Sequence, residues 1–479
     1  MNKSMVRFLL ARLLVIEAAL LLVPLGVAFI YKESMTVISS FLITMAILLI
    51  IGGVGCLSKP KNFRIYTKEG FLIVALCWLF WAIFGALPFV LSGQIPNYID
   101  AFFETSSGFT TTGATILNDT AVLSPSLLFW RSFTHLIGGM GVLVFALAIM
   151  ENSKNSHLEV MRAEVPGPVF GKVVSKLKNT AQILYIIYLV MFAILTIILW
   201  WAGLPLFDSI ITAMGTAGTG GFAVYNDSIA HYNSSLITNI VAVGMLLFGI
   251  NFNLYYLLLI GKVKSFFKDE ELKTYLFIIA VAVGLLFLNV GGLYASTKEA
   301  FERIFFQVST TLTSTGFGLN DVTFWPLFSQ IILLLLMFIG GSAGSTAGGF
   351  KVMRVLILLK IAYNQMLLNL YPNRIVSLHV NGEVLDKKTQ HSILRYFVIY
   401  VMIFISLVFL ISIDNNQLLV VVSAVASILN NIGPMLGTTE NFSIFSSFSK
   451  LLLSLAMIAG RLELYPMLLL FSSKTWSKQ

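Results

Sequence analysis

The chain has 479 residues, of which 57% are hydrophobic and 11% charged, with a formal net charge of +9. A soluble chain of this length needs a far more charged surface, so the composition excludes a soluble enzyme or regulator and indicates a polytopic membrane protein. Its two cysteines, Cys56 and Cys77, fall in apolar runs without CxxC or Cys/His spacing, so neither a disulfide framework nor a zinc site is indicated.

Apolar runs of about 20 residues, the length that crosses a bilayer as a helix, recur from end to end. The first, 7–31, has a basic start like a signal peptide. No small-residue cleavage site follows it, and 35–57 comes within a few residues, so both are read as retained spans forming an accessory hairpin, 1–60. Four units follow. They are 61–160 with spans 69–93 and 125–150, 161–268 with spans 180–203 and 236–261, 269–372 with spans 272–293 and 326–363, and 373–479 with spans 392–413 and 445–472. The total is ten spans, and 326–363 is too long for one plain span and carries a glycine-rich break.

The charge follows the spans. With the N-terminus placed in the cytoplasm, 25 of the 31 basic residues fall on the inner side, which is the positive-inside rule. The basic balance is therefore topology rather than a nucleic-acid patch, and both termini are expected in the cytoplasm. The inner lysines are also available to anionic membrane lipid or to an acidic partner.

Each unit carries between its spans a helix-length run that ends in small or hydroxylated residues and a glycine. These runs are Asp100–Gly113, Asp208–Gly221, Arg303–Gly316 and Val420–Gly433, with 108, 95 and 117 residues between successive glycines. Ala101-Phe-Phe-Glu-Thr-Ser in the first matches Ile304-Phe-Phe-Gln-Val-Ser in the third. All four lie on the side opposite the lysines, so they are read as re-entrant half-helices with filter loops. Non-helical backbone at membrane depth is tolerated only inside protein or along a wet cavity, which places the loops at a central axis. The half-helix C-termini pointing inward favour a cation there. A lone Thr-Gly reads as a loop or capping glycine, whereas four at equivalent positions read as a carbonyl-lined filter, because glycine permits the close approach and unusual φ/ψ that a filter needs. Asp100, Glu104, Asp208, Asp321 and Glu440 are expected near the outer mouth. Asp100 and Asp208 are read as helix caps, and Asp321 and Glu440 as solvated loop charge.

The third unit holds Gly340-Gly-Ser-Ala-Gly-Ser-Thr-Ala-Gly-Gly349, ten residues of which five are glycine. This run is a poor helix in mid-span. It lacks phosphate-loop spacing, since Phe350 separates Gly349 from Lys351. Small-residue helix packing is a rival reading, but the glycine density exceeds what packing requires. The run is read as an unwound loop beneath the filter. Arg461, inside the last span, is expected to face a cavity or a partner, with Glu463 the obvious candidate. Arg131, nearer the outer end of its span, is read as an interface anchor or the partner of an acid. His135, His157, His231, His379 and His391 are scattered without metal spacing, and no catalytic cluster of Ser/His/Asp or paired carboxylates stands out. Trp78, Trp81, Trp200, Trp201, Trp325 and Trp476 lie near span ends and read as interfacial belts.

The set Ser107-Gly-Phe-Thr-Thr-Thr-Gly-Ala-Thr115, Thr219-Gly-Gly-Phe222, Thr313-Ser-Thr-Gly-Phe317, Asn430-Asn-Ile-Gly-Pro434, Gly340–Gly349 and Gly460-Arg-Leu-Glu463 resembles the Trk/Ktr/HKT superfamily of potassium transporters, most closely its TrkH-type members. The resemblance covers essentially the whole chain, including the extra N-terminal hairpin. It implies an all-α polytopic membrane fold with four span–pore-loop–span repeats around a pseudo-fourfold axis. It maps the filter glycines onto Gly113, Gly221, Gly316 and Gly433. Further carbonyls would come from Thr111 and Thr112, Thr219 and Gly220, Ser314 and Thr315, and Asn431 and Ile432. Glycine at all four positions implies potassium preference. The absence of a full TVGYG signature implies a shorter, less strict filter that also passes rubidium and some sodium.

The resemblance further implies a movable intramembrane gate at Gly340, Gly341, Ser342, Gly344, Ser345, Thr346, Gly348 and Gly349, with Arg461 as an electrostatic barrier beside it. It implies a homodimer in the cell (inner) membrane and a cytosolic, TrkA-like regulatory subunit that binds the nucleotide, since this chain has no nucleotide motif and needs no cofactor beyond potassium as substrate. The inner loops 151–178 and 351–396 are the expected docking surfaces. The alternatives are a secondary symporter coupled to sodium or protons and a membrane-embedded enzyme. Inverted repeats would favour the first, but the four units share one orientation. The second lacks an acid/base or metal constellation.

Overall fold

The structure is a computed structural model that describes residues 2–60, 67–139, 141, 177–319, 322–373, 376–415 and 417–476. It is helical apart from one two-stranded hairpin among the described residues. The N-terminal helices Lys3–Leu20 and Leu22–Ile30 both lie against Met35–Leu57, the first also against Thr67–Gly85 and the second against Pro125–Gly139 of unit one. Their apolar side chains run continuously into the core of that unit, where Phe109 packs edge-on against Trp130.

Each unit then repeats one plan. A long apolar helix leads to a short buried one, and a second helix leaves the loop that follows. The short helices are Tyr98–Phe109, Leu206–Gly218, Thr297–Leu312 and Leu418–Leu429. Their lower turns are buried all round, which is how a polar-ended helix persists at membrane depth.

The expected ten spans differ in form from what folds. Seven described helices are long and apolar enough to cross a bilayer unbroken. The helix after the glycine-ended loop is short instead in the second, third and fourth units: Ser235–Phe248, Leu327–Ile339 and Ser447–Arg461. The second bends by 88° into Phe252–Leu259. The third stops at Gly340, and helix resumes at Val352–Leu370. The fourth breaks at Glu463 and Leu464, both at positive φ, before Tyr465–Phe471. Hydropathy reads apolar content and not backbone continuity, so these breaks were hidden inside the expected spans 236–261 and 445–472.

Two further expectations are corrected. Trp78, Trp81 and Trp325 are buried, and Trp81 donates its indole N–H to the Leu13 carbonyl at 3.3 Å, so they are core residues rather than belt residues. Trp200, Trp201 and Trp476 are exposed as expected. Asp100 and Asp208 sit in the first turns of their helices but do not cap them. Asn97 caps the first by accepting from Ile99 N, and Pro205 occupies the cap position of the second.

Candidate functional site: four interlocked loops and a glycine-rich plug

The four short helices terminate identically. Each is closed by a residue in the left-handed region: Thr111, Thr219, Ser314 and Asn431, at φ between 53° and 56°. That residue donates its N–H three residues back, to Gly108, Thr216, Thr311 and Ile428, at 3.1–3.2 Å. The next residue donates five back, from Thr112 to Ser107, Gly220 to Gly215, Thr315 to Thr310 and Ile432 to Ser427, at 2.8–2.9 Å. This is the Schellman termination, normally built on glycine. A β-carbon in that conformation costs roughly 1 kcal/mol or more, so each loop holds a strained residue one step before its centre.

The third position of each loop is glycine, at φ 77° for Gly113, 74° for Gly221, 80° for Gly316 and 110° for Gly433. A β-carbon on Gly113 would lie 1.9 Å from the Gly220 carbonyl oxygen, and one on Gly221 would lie 2.1 Å from that of Thr315. One on Gly316 would lie 1.9 Å from Ile432 O, and one on Gly433 would lie 2.7 Å from Thr112 O. Every glycine therefore abuts the carbonyl of the equivalent second position in the next loop, and the fourth returns to the first. The order is cyclic and closed around one axis. All four glycines line a cavity of about 580 Å³.

The ring is not symmetric. Loops one and three share a hydroxyl pair, Thr110–Thr112 and Thr313–Thr315, each at 2.7 Å. Loop two is braced by His135, whose ring stacks on Phe222 with centroids 4.1 Å apart. His135 Nδ1 meets the Gly108 carbonyl at 2.8 Å, and Nε2 accepts from Phe222 N at 3.3 Å. Loop four uses Asn431, whose side-chain amide donates to Thr112 Oγ1 and to the Met457 carbonyl, both at 2.9 Å.

Beneath the ring, residues 340–351 form a closed loop rather than a helix. Its base is stapled by Phe350 N to Phe338 O at 3.1 Å and by Lys351 N to Ile339 O at 2.8 Å. A β-carbon on Gly348 would lie 2.1 Å from the Asn430 carbonyl oxygen, so the loop packs directly against the fourth loop of the ring. The break in the second unit also holds it: Ser342 N donates to Gly249 O and Phe252 N to Gly344 O, each at 3.0 Å. Arg461 completes the contact. Its Nη1 donates to Thr346 O at 2.7 Å and its Nη2 to Gly138 O at 2.8 Å, so one guanidinium joins the plug to the first and fourth units. The rival partner Glu463 is engaged instead by Arg354.

A family model described as "TrkH: Cation transport protein" matches residues 37–478. The chain belongs to the TrkH family. It is 34% identical over 473 residues to the Trk system potassium uptake protein TrkH of Salmonella typhimurium, covering 97% of each chain. It is 32% identical to the Trk system potassium uptake protein TrkG of Escherichia coli, covering 95% of each. The crystal structure of the potassium transporter TrkH from Vibrio parahaemolyticus superposes with a TM-score of 0.90 at 30% identity, over 100% of both chains. These relatives are transport proteins rather than enzymes.

In this TrkH-family chain the residues expected at the filter lie in the four loops that meet in the ring, and those of the glycine run lie in the loop packed against it. Of the acids expected near the outer mouth, three are engaged elsewhere. Glu104 is buried and paired with Arg131 at 2.6 Å, and it also accepts from Thr115 Oγ1 and Ile116 N, so it braces the first loop instead of facing ions. Asp100 pairs with Lys450 at 2.8 Å, and Asp208 accepts from the Tyr232 hydroxyl at 3.1 Å. Asp321 lies outside the described residues. Among the described acids of the expected set, Glu440 alone lines the cavity, together with the unanticipated Asp227.

Arg131 has the acid partner foreseen for it, and its guanidinium also lies 3.4 Å from the Phe222 ring centroid. Two functional candidates were missed. His135 was set aside for lack of metal spacing, and nothing local signals that its ring sits behind Gly220. Glu271, in the first turn of Glu270–Val290, reads in sequence as an ordinary helix-start acid. It is in fact 1% exposed and accepts from Ala343 N, inside the glycine run, at 2.6 Å and from Met353 N, in the helix after it, at 3.1 Å.

Proposed function

We propose that this chain is the ion-translocating subunit of a potassium uptake system, passing potassium through a gated, carbonyl-lined filter. One observation carries the reading: four left-handed glycines, each abutting the preceding carbonyl of its neighbour, close a ring at the floor of an open cavity. Carbonyls from Thr111 and Thr112, Thr219 and Gly220, Ser314 and Thr315, and Asn431 and Ile432 replace the water shell of a monovalent cation without adding formal charge. Glycine at all four ring positions, and relatives named for potassium uptake, support potassium as the ion.

The segment Gly340–Gly349 is the gate, with Gly340, Gly341, Ser342, Gly344, Ser345, Thr346, Gly348 and Gly349 supplying its flexibility and Arg461 its latch and electrostatic barrier. The units 61–160, 161–268, 269–372 and 373–479 are the pore repeats, and 1–60 is an accessory hairpin. The basic loops face the cytoplasm with both termini, in the cell membrane. The working assembly is a homodimer with a cytosolic, nucleotide-binding regulatory subunit docked on the basic face. Of the docking segments, 351–373 and 376–396 are described, while 151–176 lie outside the described residues.

The test is reconstitution of the purified chain in potassium-loaded liposomes. Flux down the potassium gradient with no sodium or proton requirement supports the pore. Strict dependence on a co-ion gradient would replace it with a coupled symporter.

A further inference from the structure

We infer that Asp269-Glu270-Glu271 is a coupling element that ties the β-hairpin at the basic end of the chain to the glycine plug, so that displacing the hairpin releases the gate. The inference rests on reading residues 340–351 as the gate.

The hairpin pairs His379–Val380 with Glu383–Val384 across Asn381-Gly382, with φ 53° and 82° at the turn. Asn-Gly with positive φ at both positions is the two-residue turn that matches strand twist, so the tip is rigid. Three consecutive acids face two directions from the start of Glu270–Val290. Asp269 Oδ2 accepts from the Asn381 side-chain amide at 2.8 Å. Glu270 N donates to Asn381 Oδ1 at 2.8 Å, and Glu270 Oε1 accepts from Asn381 N at 3.1 Å. Lys360 bridges the same corner, binding Glu270 and donating to the His379 carbonyl at 2.8 Å. One residue on, Glu271 turns inward and accepts on a single oxygen from Ala343 N, within the plug, and from Met353 N, in the first turn of the helix after it.

Packing joins the same two parts independently. Leu378, Val380 and Leu385 of the hairpin share one buried cluster with Ala343 of the plug and with Met353 and Ile357 of the helix after it. A packed core moves as a body rather than deforming continuously. The hairpin tip and the plug are therefore linked by a hydrogen-bonded strap on one side and an apolar wedge on the other. A charge-assisted bond from a buried carboxylate to two backbone N–H groups is among the stronger links available. It holds the plug without covering the pore. A protein that docks on the exposed hairpin and pulls it gains leverage on the gate through this strap.

The test is rubidium uptake by the full-length chain in liposomes, with the potassium-to-sodium ratio recorded alongside. Glu271→Ala raises the rate on the order of tenfold, the scale of one charge-assisted hydrogen bond, and leaves the ion ratio unchanged. Glu271→Gln, which keeps an acceptor oxygen, falls between that variant and the parent. Asn381→Ala, at an exposed tip remote from the filter, raises the rate in the same direction, and the double variant adds nothing beyond the larger single effect. An unchanged rate in Asn381→Ala, or full additivity with Glu271→Ala, overturns the coupling. Arg461→Ala separates the two readings. If it raises the rate while Glu271→Ala does not, the gate stands and the coupling fails. If neither raises the rate, the gate reading itself fails.

Discussion

Arg461 donates to the Thr346 carbonyl at 2.7 Å, across 115 residues of sequence, and so fastens the glycine run of the third unit to the end of helix Ser447–Arg461 in the fourth. Its other bonds, to the Gly138 and Gly139 carbonyls at 2.8 and 3.1 Å, carry the tie into the first unit. The guanidinium charge is thus held by three backbone carbonyl dipoles.

On the proposed reading, replacing this arginine releases the plug and removes the barrier together. Arg461→Ala is expected to raise cation flux in liposomes by about tenfold or more, since hydrogen bonds to charged groups contribute about 1.5–3 kcal/mol each. Arg461→Lys keeps the charge but not the fork geometry, so it restores only part of the closure. Unchanged flux in a well-folded Arg461→Ala protein removes the barrier role.

The ring glycines rank themselves. Alanine at Gly113 or Gly316 places a β-carbon 1.9 Å from a neighbouring carbonyl oxygen, whereas at Gly433 the distance is 2.7 Å. Potassium-over-sodium selectivity, read from competing uptake, is expected to collapse in Gly113→Ala and Gly316→Ala and to decline less in Gly433→Ala. Equal loss at all three would show that left-handed strain, and not the interlock, sets the requirement.

Gly220 is glycine for a different reason, because its β-carbon would meet the His135 ring at 2.5 Å. Gly220→Ala should therefore disrupt the second loop, and adding His135→Ala should restore part of the transport by vacating the space. His135→Ala alone should weaken selectivity, because Phe222 N loses its acceptor. No rescue in the double variant would assign Gly220 to backbone conformation instead.

The Glu104–Arg131 pair is buried at both ends, with side chains 0% and 3% exposed. Removing one member leaves an uncompensated charge, a loss of about 3–5 kcal/mol. Glu104→Ala is expected to lower the melting temperature of the detergent-solubilised protein well below that of Glu104→Gln, which keeps an acceptor for Thr115 and Ile116. Melting identical to the parent in both would show that the pair is dispensable.

Local sequence determined the class, the four repeats and the two glycine-rich elements. Helix length, apolar runs and turn chemistry are properties of neighbouring residues, so Thr111 to Gly113 and its three counterparts could be read as loops ending in glycine before any coordinates. The run Gly340–Gly349 was legible for the same reason, because no helix tolerates that glycine density. Tertiary structure alone decided what faces what. Glu104 meets Arg131 instead of the mouth, His135 lies behind Gly220, and Glu271 holds Ala343 across 72 residues. Such pairings depend on how four units close around an axis, and spacing along one chain does not encode that closure. The broken helices belong to the same category: residues 235–259 carry enough apolar surface for one span, and only the plug seated against Gly249 and Asn251 requires the bend.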